Sequence, residues 1–244
     1  MKTLRFYFVT VGLVLASLTF TSCLNDDGYS LGDIYKPVIA TARPINSDSF
    51  YLTLDDSTTF FPAAPLHIHY QPEKLQRVLL FYTILGENYH GYDYAIKVNR
   101  LDTILTKPIA EDLGAEKNDE VYGKDPVHIV SMWVGDGFLN VEFETYFSSH
   151  IKHFVNLIPG ENAGEHPYQL EFRHNAYHDS STRKGVGVVA FDLSSLPDTE
   201  GKEVALTIKV NTFDGVKEIV KKYNSGTNTE KQPELSVTNF EGTI

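Results

Sequence analysis

Along most of this chain the hydrophobic residues recur with a period of two. In the segment 203–211, Val204, Leu206, Ile208 and Val210 alternate with Ala205, Thr207 and Lys209. In 138–146, Leu139, Val141 and Phe143 alternate with Asn140, Glu142 and Glu144. A helix repeats every 3.6 residues, so this pattern gathers on one side only in an extended strand with one buried face. The 14 Tyr and 15 Phe residues belong to the same preference. Helical periodicity is confined to two short stretches, around 107–116 and 215–223. The second follows Asp214-Gly215, a two-residue hairpin signal, and is read as a strand. The pattern predicts an all-β fold.

The spacing of breakers divides the strands into two groups. The first half offers five, at 37–45, 50–54, 58–61, 77–85 and 94–100. Asp55-Asp56-Ser57 supplies turn chemistry between the second and third, and Pro62, Pro65 and Pro72 interrupt the chain before the fourth. Five strands in so short a span suit a small OB-like barrel. A polar stretch over 101–125 reads as a connector. Beyond it come seven strands, at 127–134, 138–146, 151–157, 168–173, 185–192, 203–211 and 215–221. The first two flank the hairpin signal Gly135-Asp136-Gly137. Seven strands over this length predict an antiparallel β-sandwich, and 235–240 is a candidate extra edge strand. The expected organisation is a signal over 1–22, a tether over 23–36, an OB-like barrel over 37–115 and a β-sandwich over 116–244.

The N-terminus carries an address. Lys2 and Arg5 precede an uncharged run from Phe6 to Phe20, and Thr21-Ser22-Cys23 follows. The run is shorter than the ~20 residues a spanning helix needs and fits a secretory signal. Its end resembles a bacterial lipoprotein signal, in which cleavage exposes a cysteine for acylation. Phe20 stands where Leu is usual. Cys23 is the only cysteine in the chain, and it falls where the lipid attachment requires it. Several acyl chains would hold the mature domains to the membrane without a spanning segment. Loss of Lys2 and Arg5 with the signal takes the formal charge from −11 to −13.

Composition narrows the chemistry. One cysteine excludes an intrachain disulfide and a multi-thiolate zinc site. The acidic balance argues against nucleic acid, whose phosphates need a basic groove. Gly185-Val186-Gly187-Val188-Val189-Ala190 matches a dinucleotide fingerprint but lies in strand-like sequence with no helix to receive a pyrophosphate. The paired histidines His67/His69, His150/His153 and His174/His178 beside Asp179 raise a metal site. Their flanks read as strand ends and loops, so the expectation is no metal and no cofactor. Asp55, Asp56 and Asp136 are the conceivable acid/base groups of a hydrolase, yet all sit in turn signals, and no catalytic residue is assigned. Trp133, in an apolar strand, is expected to pack in a core. The candidate contact surface is the segment Tyr82 to Tyr94. Tyr89, His90 and Tyr92 are expected in the loop between the fourth and fifth barrel strands, where flat rings with polar tips suit a protein or glycan partner.

The order of motifs also carries a resemblance. It runs from Cys23 with Asp26-Asp27 through Asp27-Gly28-Tyr29-Ser30-Leu31-Gly32-Asp33, Phe50-Tyr51-Leu52-Thr53-Leu54-Asp55-Asp56 and Gln76-Arg77-Val78-Leu79. Gly91-Tyr92-Asp93-Tyr94, Met132-Trp133-Val134-Gly135-Asp136 and Phe191-Asp192-Leu193-Ser194-Ser195-Leu196 complete it. Together these resemble the NigD-like lipoproteins of Bacteroidetes over nearly all of the mature chain. The resemblance implies an N-terminal OB-like domain and a C-terminal β-sandwich. It carries no catalytic residues, and its name points to a bacteriocin-immunity or accessory role. The acidic pair after Cys23 resembles the export mark of surface lipoproteins, which implies an outer-membrane lipoprotein exposed at the cell surface, the alternative being the inner leaflet of the outer membrane.

Overall fold

In the computed structural model, residues 37–64, 70–148, 150–226 and 232–235 are described. Cys23, the signal, the tether, His67 and His69 lie outside the described residues, as does the expected edge strand beyond Leu235. No helix among the described residues is long and apolar enough to cross a membrane.

The first five strands are β1 (Val38–Asn46), β2 (Ser49–Leu54), β3 (Thr59–Pro62), β4 (Gln76–Tyr89) and β5 (Tyr92–Thr103). They close into a barrel in the order β1-β2-β3-β5-β4, with β4 returning to β1. Only β3 and β5 pair in parallel. Alternation sends Ala40, Ala42, Leu52, Phe60, Val78 and Leu80 into the barrel core. The intervening residues of β1 and β4, among them Ile39, Thr41, Arg77 and Leu79, point outward yet are fully buried.

The stretch expected as a polar connector is ordered structure. The chain leaves β5 at Thr103 and enters β6 (Leu105–Pro108) across the buried Ile104, so it passes from barrel to sandwich there and not at residue 115. Lys107, expected near a helix, is in this strand. The one helix described, α1 (Ala115–Tyr122), starts later. Its entry is set by Asp112, whose Oδ1 accepts from Gly114 N and Asn118 Nδ2, while Asn118 Oδ1 accepts from Leu113 N. These side-chain bonds hold a turn that alternation alone does not reveal.

The sandwich continues with β7 (His128–Gly135), β8 (Phe138–Tyr146), β9 (Phe154–Pro159), β10 (Gln169–Asn175), β11 (Lys184–Asp192), β12 (Val204–Thr212) and β13 (Gly215–Tyr223). One sheet runs β13-β12-β10-β9 and the other β6-β11-β8-β7. Antiparallel pairs dominate, with one parallel pair in each sheet, β10 with β12 and β6 with β11. Leu139, Val141, Phe143, Val189 and Phe191 of one sheet meet Leu157, Phe172, Leu206 and Ile208 of the other. The glycine-rich segment from Gly185 lies inside β11, facing β8.

The sheet β6-β11-β8-β7 is buried on its second face too, because the barrel sits on it. Ile39 and Leu79 from the barrel, Trp133, Phe138, Val188 and Ala190 from the sandwich, and Ile104 between them form one apolar cluster. Asn140 and Glu142, on the polar side of the β8 alternation, have no exposed surface. Trp133 is therefore a core residue of the junction between the domains, not of the sandwich interior. Near the C-terminus, Gln232 Oε1 accepts from Ile39 N at 2.9 Å and Leu235 packs on the same cluster.

Candidate functional site

The hairpin of β4 and β5 is longer than its sequence suggests. Tyr89 and Tyr92 are not loop residues: they are the last residue of β4 and the first of β5, and they face each other across the ladder. Only His90 and Gly91 make the turn, with φ of 50° and 89°. Two consecutive positive φ values match the tight turn favoured by twisted hairpins. Register shifts at Phe81/Tyr82 and Ile84/Gly86 bend the two strands as they leave the barrel.

This bend brings five rings together. The Phe61 ring stacks on Tyr89 at 5.6 Å and on Tyr92 at 5.1 Å. Tyr51 lies 5.3 Å from Tyr92, and His90 meets Tyr89 edge-on at 4.4 Å. Tyr89, His90 and Tyr92 thus form a continuous strip with Tyr51 and Phe61, contributed by β2, β3 and the hairpin. His90 is exposed and the four other rings are half-buried. Tyr51 and Phe61 escaped the sequence reading, although their alternation with the core residues Leu52 and Phe60 marks them as outward-facing.

Asn88 and Asp93 alternate with Tyr89 and Tyr92 and so belong to the opposite face of the hairpin. With Asp56, Ser57, Thr58 and Glu87 they line a polar cleft of about 400 Å³. Asp93 Oδ2 accepts from Thr59 N at 2.8 Å and Thr59 Oγ1 at 2.7 Å, and these bonds hold its pKa below the usual carboxylate range. Asp93 is therefore an ionised acceptor at neutral pH, unsuited to donate a proton.

Two of the three aspartates weighed as acid/base groups belong to the junction. Arg77 Nη2 donates to Asp55 Oδ1 at 2.7 Å, Nη1 to Thr41 Oγ1 at 3.0 Å and Nε to Asn140 Oδ1 at 3.2 Å. Trp133 Nε1 donates to Asp55 Oδ2 at 2.8 Å. Both carboxylate oxygens of Asp55 are thus engaged, and the group is shut away from solvent. The Arg77 guanidinium also lies 5.5 Å from the centroid of the Phe138 ring. At the rim, Arg43 Nη2 donates to Asp136 Oδ1 at 2.6 Å. Asp56 stays exposed in its turn, where its Oδ1 accepts from Thr58 N.

The histidines assemble differently from their spacing. His153 Nε2 lies 3.1 Å from Asp179 Oδ2, and His153 Nδ1 lies 2.9 Å from His174 Nε2. An ionised carboxylate only accepts, so Nε2 of His153 carries the hydrogen of that bond. The two rings share one hydrogen between His153 Nδ1 and His174 Nε2, and Nδ1 of His174 is buried. Burial, with His153 beside it, lowers the pKa of His174 to about 4. Backbone N–H groups of Ser148 and Ser181 hold Asp179 far below the carboxylate range. His178, which shares a possible zinc spacing with His174, is exposed and takes no part. Among the described residues no three His, Cys, Asp or Glu side chains are arranged to hold a metal.

An OB barrel fused through a buried polar junction to an eight-stranded sandwich defines a class of two-domain all-β proteins. Both halves match family models, the NigD-like N-terminal OB domain over residues 39–104 and the NigD-like C-terminal beta sandwich domain over 108–223. The chain belongs to the NigD-like family. Among solved structures it resembles a protein described as toxin-related from Parabacteroides distasonis ATCC 8503. That protein is 46% identical, with a TM-score of 0.74, covering 80% of this chain and 95% of the other. A NigD-like immunity protein from Bacteroides caccae ATCC 43185 shares the fold at 20% identity and a TM-score of 0.59, covering 79% and 94%. A protein described as a lipoprotein from Bacteroides fragilis NCTC 9343 shares it at 9% identity and a TM-score of 0.52, covering 80% and 99%. No curated protein matches the sequence.

Proposed function

We propose that this chain is a non-enzymatic lipoprotein of the outer membrane, anchored through Cys23 and exposed at the cell surface, that binds a protein or glycan partner through the barrel hairpin. The observation that carries the binding role is the strip formed by Tyr51, Phe61, Tyr89, His90 and Tyr92. Its rings present flat area at low entropic cost, and tyrosine hydroxyls add hydrogen bonding. The non-enzymatic reading draws support from Asp55 and Asp136, whose carboxylates are tied to Arg77 and Arg43. The lipoprotein reading draws support from the single cysteine after an uncharged run and from the fold shared with a protein described as a lipoprotein.

The test is crosslinking on intact cells with a photoreactive group at His90, followed by identification of the captured chains or sugars. The Tyr89→Ala/Tyr92→Ala double variant should lose those captures while remaining folded. Unchanged captures would sink the strip as the contact surface. Acylation is read separately as the mass of the mature N-terminus, and surface exposure as protease shaving of whole cells.

A bacteriocin-immunity or accessory role is the second reading, favoured by the likeness to a toxin-related protein at 46% identity. Deleting the gene should then raise sensitivity to a toxin encoded nearby.

A further inference from the structure

At the open flank of the sandwich, where the edge strands β6 and β9 lie opposite each other, there is a cleft of about 480 Å³. Its size falls in the range of about 300–1,000 Å³ common to small-molecule sites. Lys107 projects into it from β6. The ammonium donates to Val155 O at 2.7 Å and to Asn156 Oδ1, and it rests 4.1 Å from the centroid of the Phe154 ring. All three partners belong to β9, and none carries a negative charge.

That arrangement leaves a cation without a counter-ion. Among the described residues no carboxylate pairs with Lys107, and the second charged group lining the cleft is another lysine, the exposed Lys152. His153 forms part of the wall, but both its ring nitrogens are engaged, with Asp179 and His174. Asp179, the carboxylate behind that wall, is thereby paired with His153. Burial without compensation lowers the pKa of Lys107 from 10.5 to about 8. On a chain of net charge −11, a cleft with two lysines and no free acid is an anomaly of sign.

The rest of the wall is apolar. Leu105 forms one side, while Phe154 and Tyr177 remain 36% and 50% exposed. Tyr177 and His178 both hold positive φ, 48° and 59°, a conformation that non-glycine residues rarely adopt. That backbone places Tyr177 at the cleft, half exposed. An ammonium with no paired carboxylate, a second lysine lining the cleft and two exposed rings are complementary to one ligand chemistry.

We propose that this cleft binds a small organic carboxylate with an aromatic or alkyl body, its head pairing with Lys107 and Lys152 and its body lying on Leu105, Phe154 and Tyr177. The site is separate from the hairpin strip, and its success or failure leaves the partner-binding reading untouched.

The test is calorimetric titration of the full chain with 2-naphthoate, and with the uncharged 2-naphthamide as a comparator of the same shape. One saturable site is expected for naphthoate, with naphthamide at least about tenfold weaker because it cannot meet the uncompensated charge. Lys107→Met should weaken naphthoate by about tenfold or more, Lys107→Arg should retain most of the affinity, and Tyr177→Ala should cost at least about threefold. Lys217→Met, on the far edge strand β13, should change nothing. Equal binding of the two probes, no saturation, or naphthoate affinity unaffected by both Lys107→Met and Tyr177→Ala would overturn the proposal. If Lys107→Met does not fold, the two probes and Tyr177→Ala still decide it.

Discussion

Trp133 Nε1 donates to Asp55 Oδ2 across 2.8 Å, a sandwich residue held by a barrel residue with both shut away from water. The same carboxylate takes Arg77 on its other oxygen, and Arg77 reaches back to Asn140 of the sandwich. The bond therefore belongs to a network in which each domain completes the hydrogen bonding of the other. A buried charge costs heavily unless it is paired and hydrogen-bonded, so the two domains are expected to unfold together.

Asp55→Ala should be the most damaging single change at this junction. It leaves the Arg77 guanidinium buried without its counter-ion and Trp133 without its acceptor, at a cost of about 3–5 kcal/mol. Trp133 is the only tryptophan, so its emission reports directly on the junction. Urea unfolding followed by that emission should show a lower midpoint for Asp55→Ala and a single transition for the parent protein. Two separate transitions in the parent would contradict the coupling.

Gly135 tests the same contact by size. A β-carbon there would sit 2.3 Å from the Asp55 carboxyl carbon, nearer than atoms can approach. Gly135→Ala must push Asp55 off Arg77 and Trp133, and overpacking of this kind costs about 1–3 kcal/mol. A melting temperature equal to that of the parent would show that the junction yields.

The histidine pair predicts acid sensitivity. Burial keeps the folded pKa of His174 near 4 while an unfolded histidine titrates at 6.5, so folding favours the neutral ring. That contribution is complete above pH 6.5 and drains away as the pH falls from 6.5 toward 4, by an amount on the order of 3 kcal/mol. Asp179, also held below its ordinary value, adds a loss of the same sign at still lower pH. Urea midpoints measured between pH 7 and pH 4 should fall over this window, and His174→Gln should flatten the fall. A flat profile in the parent protein would refute the neutral assignment.

On the strip, Tyr92→Ala removes the stack on Phe61 and the contact with Tyr51. Such ring pairs are worth about 0.5–1.5 kcal/mol each beyond their buried area. None of the three rings belongs to the barrel core cluster, so the variant should fold with a modestly lower urea midpoint and an unchanged barrel. Collapse of the fold would instead make the strip a structural element of the barrel.

Much of this architecture was legible as pattern. Period-two alternation placed Leu139, Val141 and Phe143 on one side of β8, and that side does form the sandwich core. The other side was misjudged for a physical reason. Asn140 and Glu142 alternate out of the core in sequence, yet both are fully buried, Asn140 against Arg77 of the barrel, and nothing local in a strand announces a second domain on its polar face. The same blindness made Asp55 and Asp136 read as turn residues or conceivable acid/base groups, although a lone arginine among apolar neighbours in Gln76-Arg77-Val78-Leu79 invites a buried partner. Tyr89 and Tyr92 read as loop residues in sequence, because the register shifts in the long β4–β5 pairing leave no compositional mark. Lys107 fell in a stretch that reads as polar connector, and its place on β6 comes from a parallel pairing with β11, more than eighty residues further on.

By itself the sequence determined the all-β class, the two groups of strands and the residues that enter each core, since alternation and turn chemistry act over a few residues. The tertiary structure alone decided which polar groups meet: Asp55 with Trp133, His153 with His174, Lys107 with β9. Those pairings depend on sheet order and on how the barrel lies against the sandwich. Both arise from the summed burial of surfaces far apart in the chain, where no short motif can record the partner.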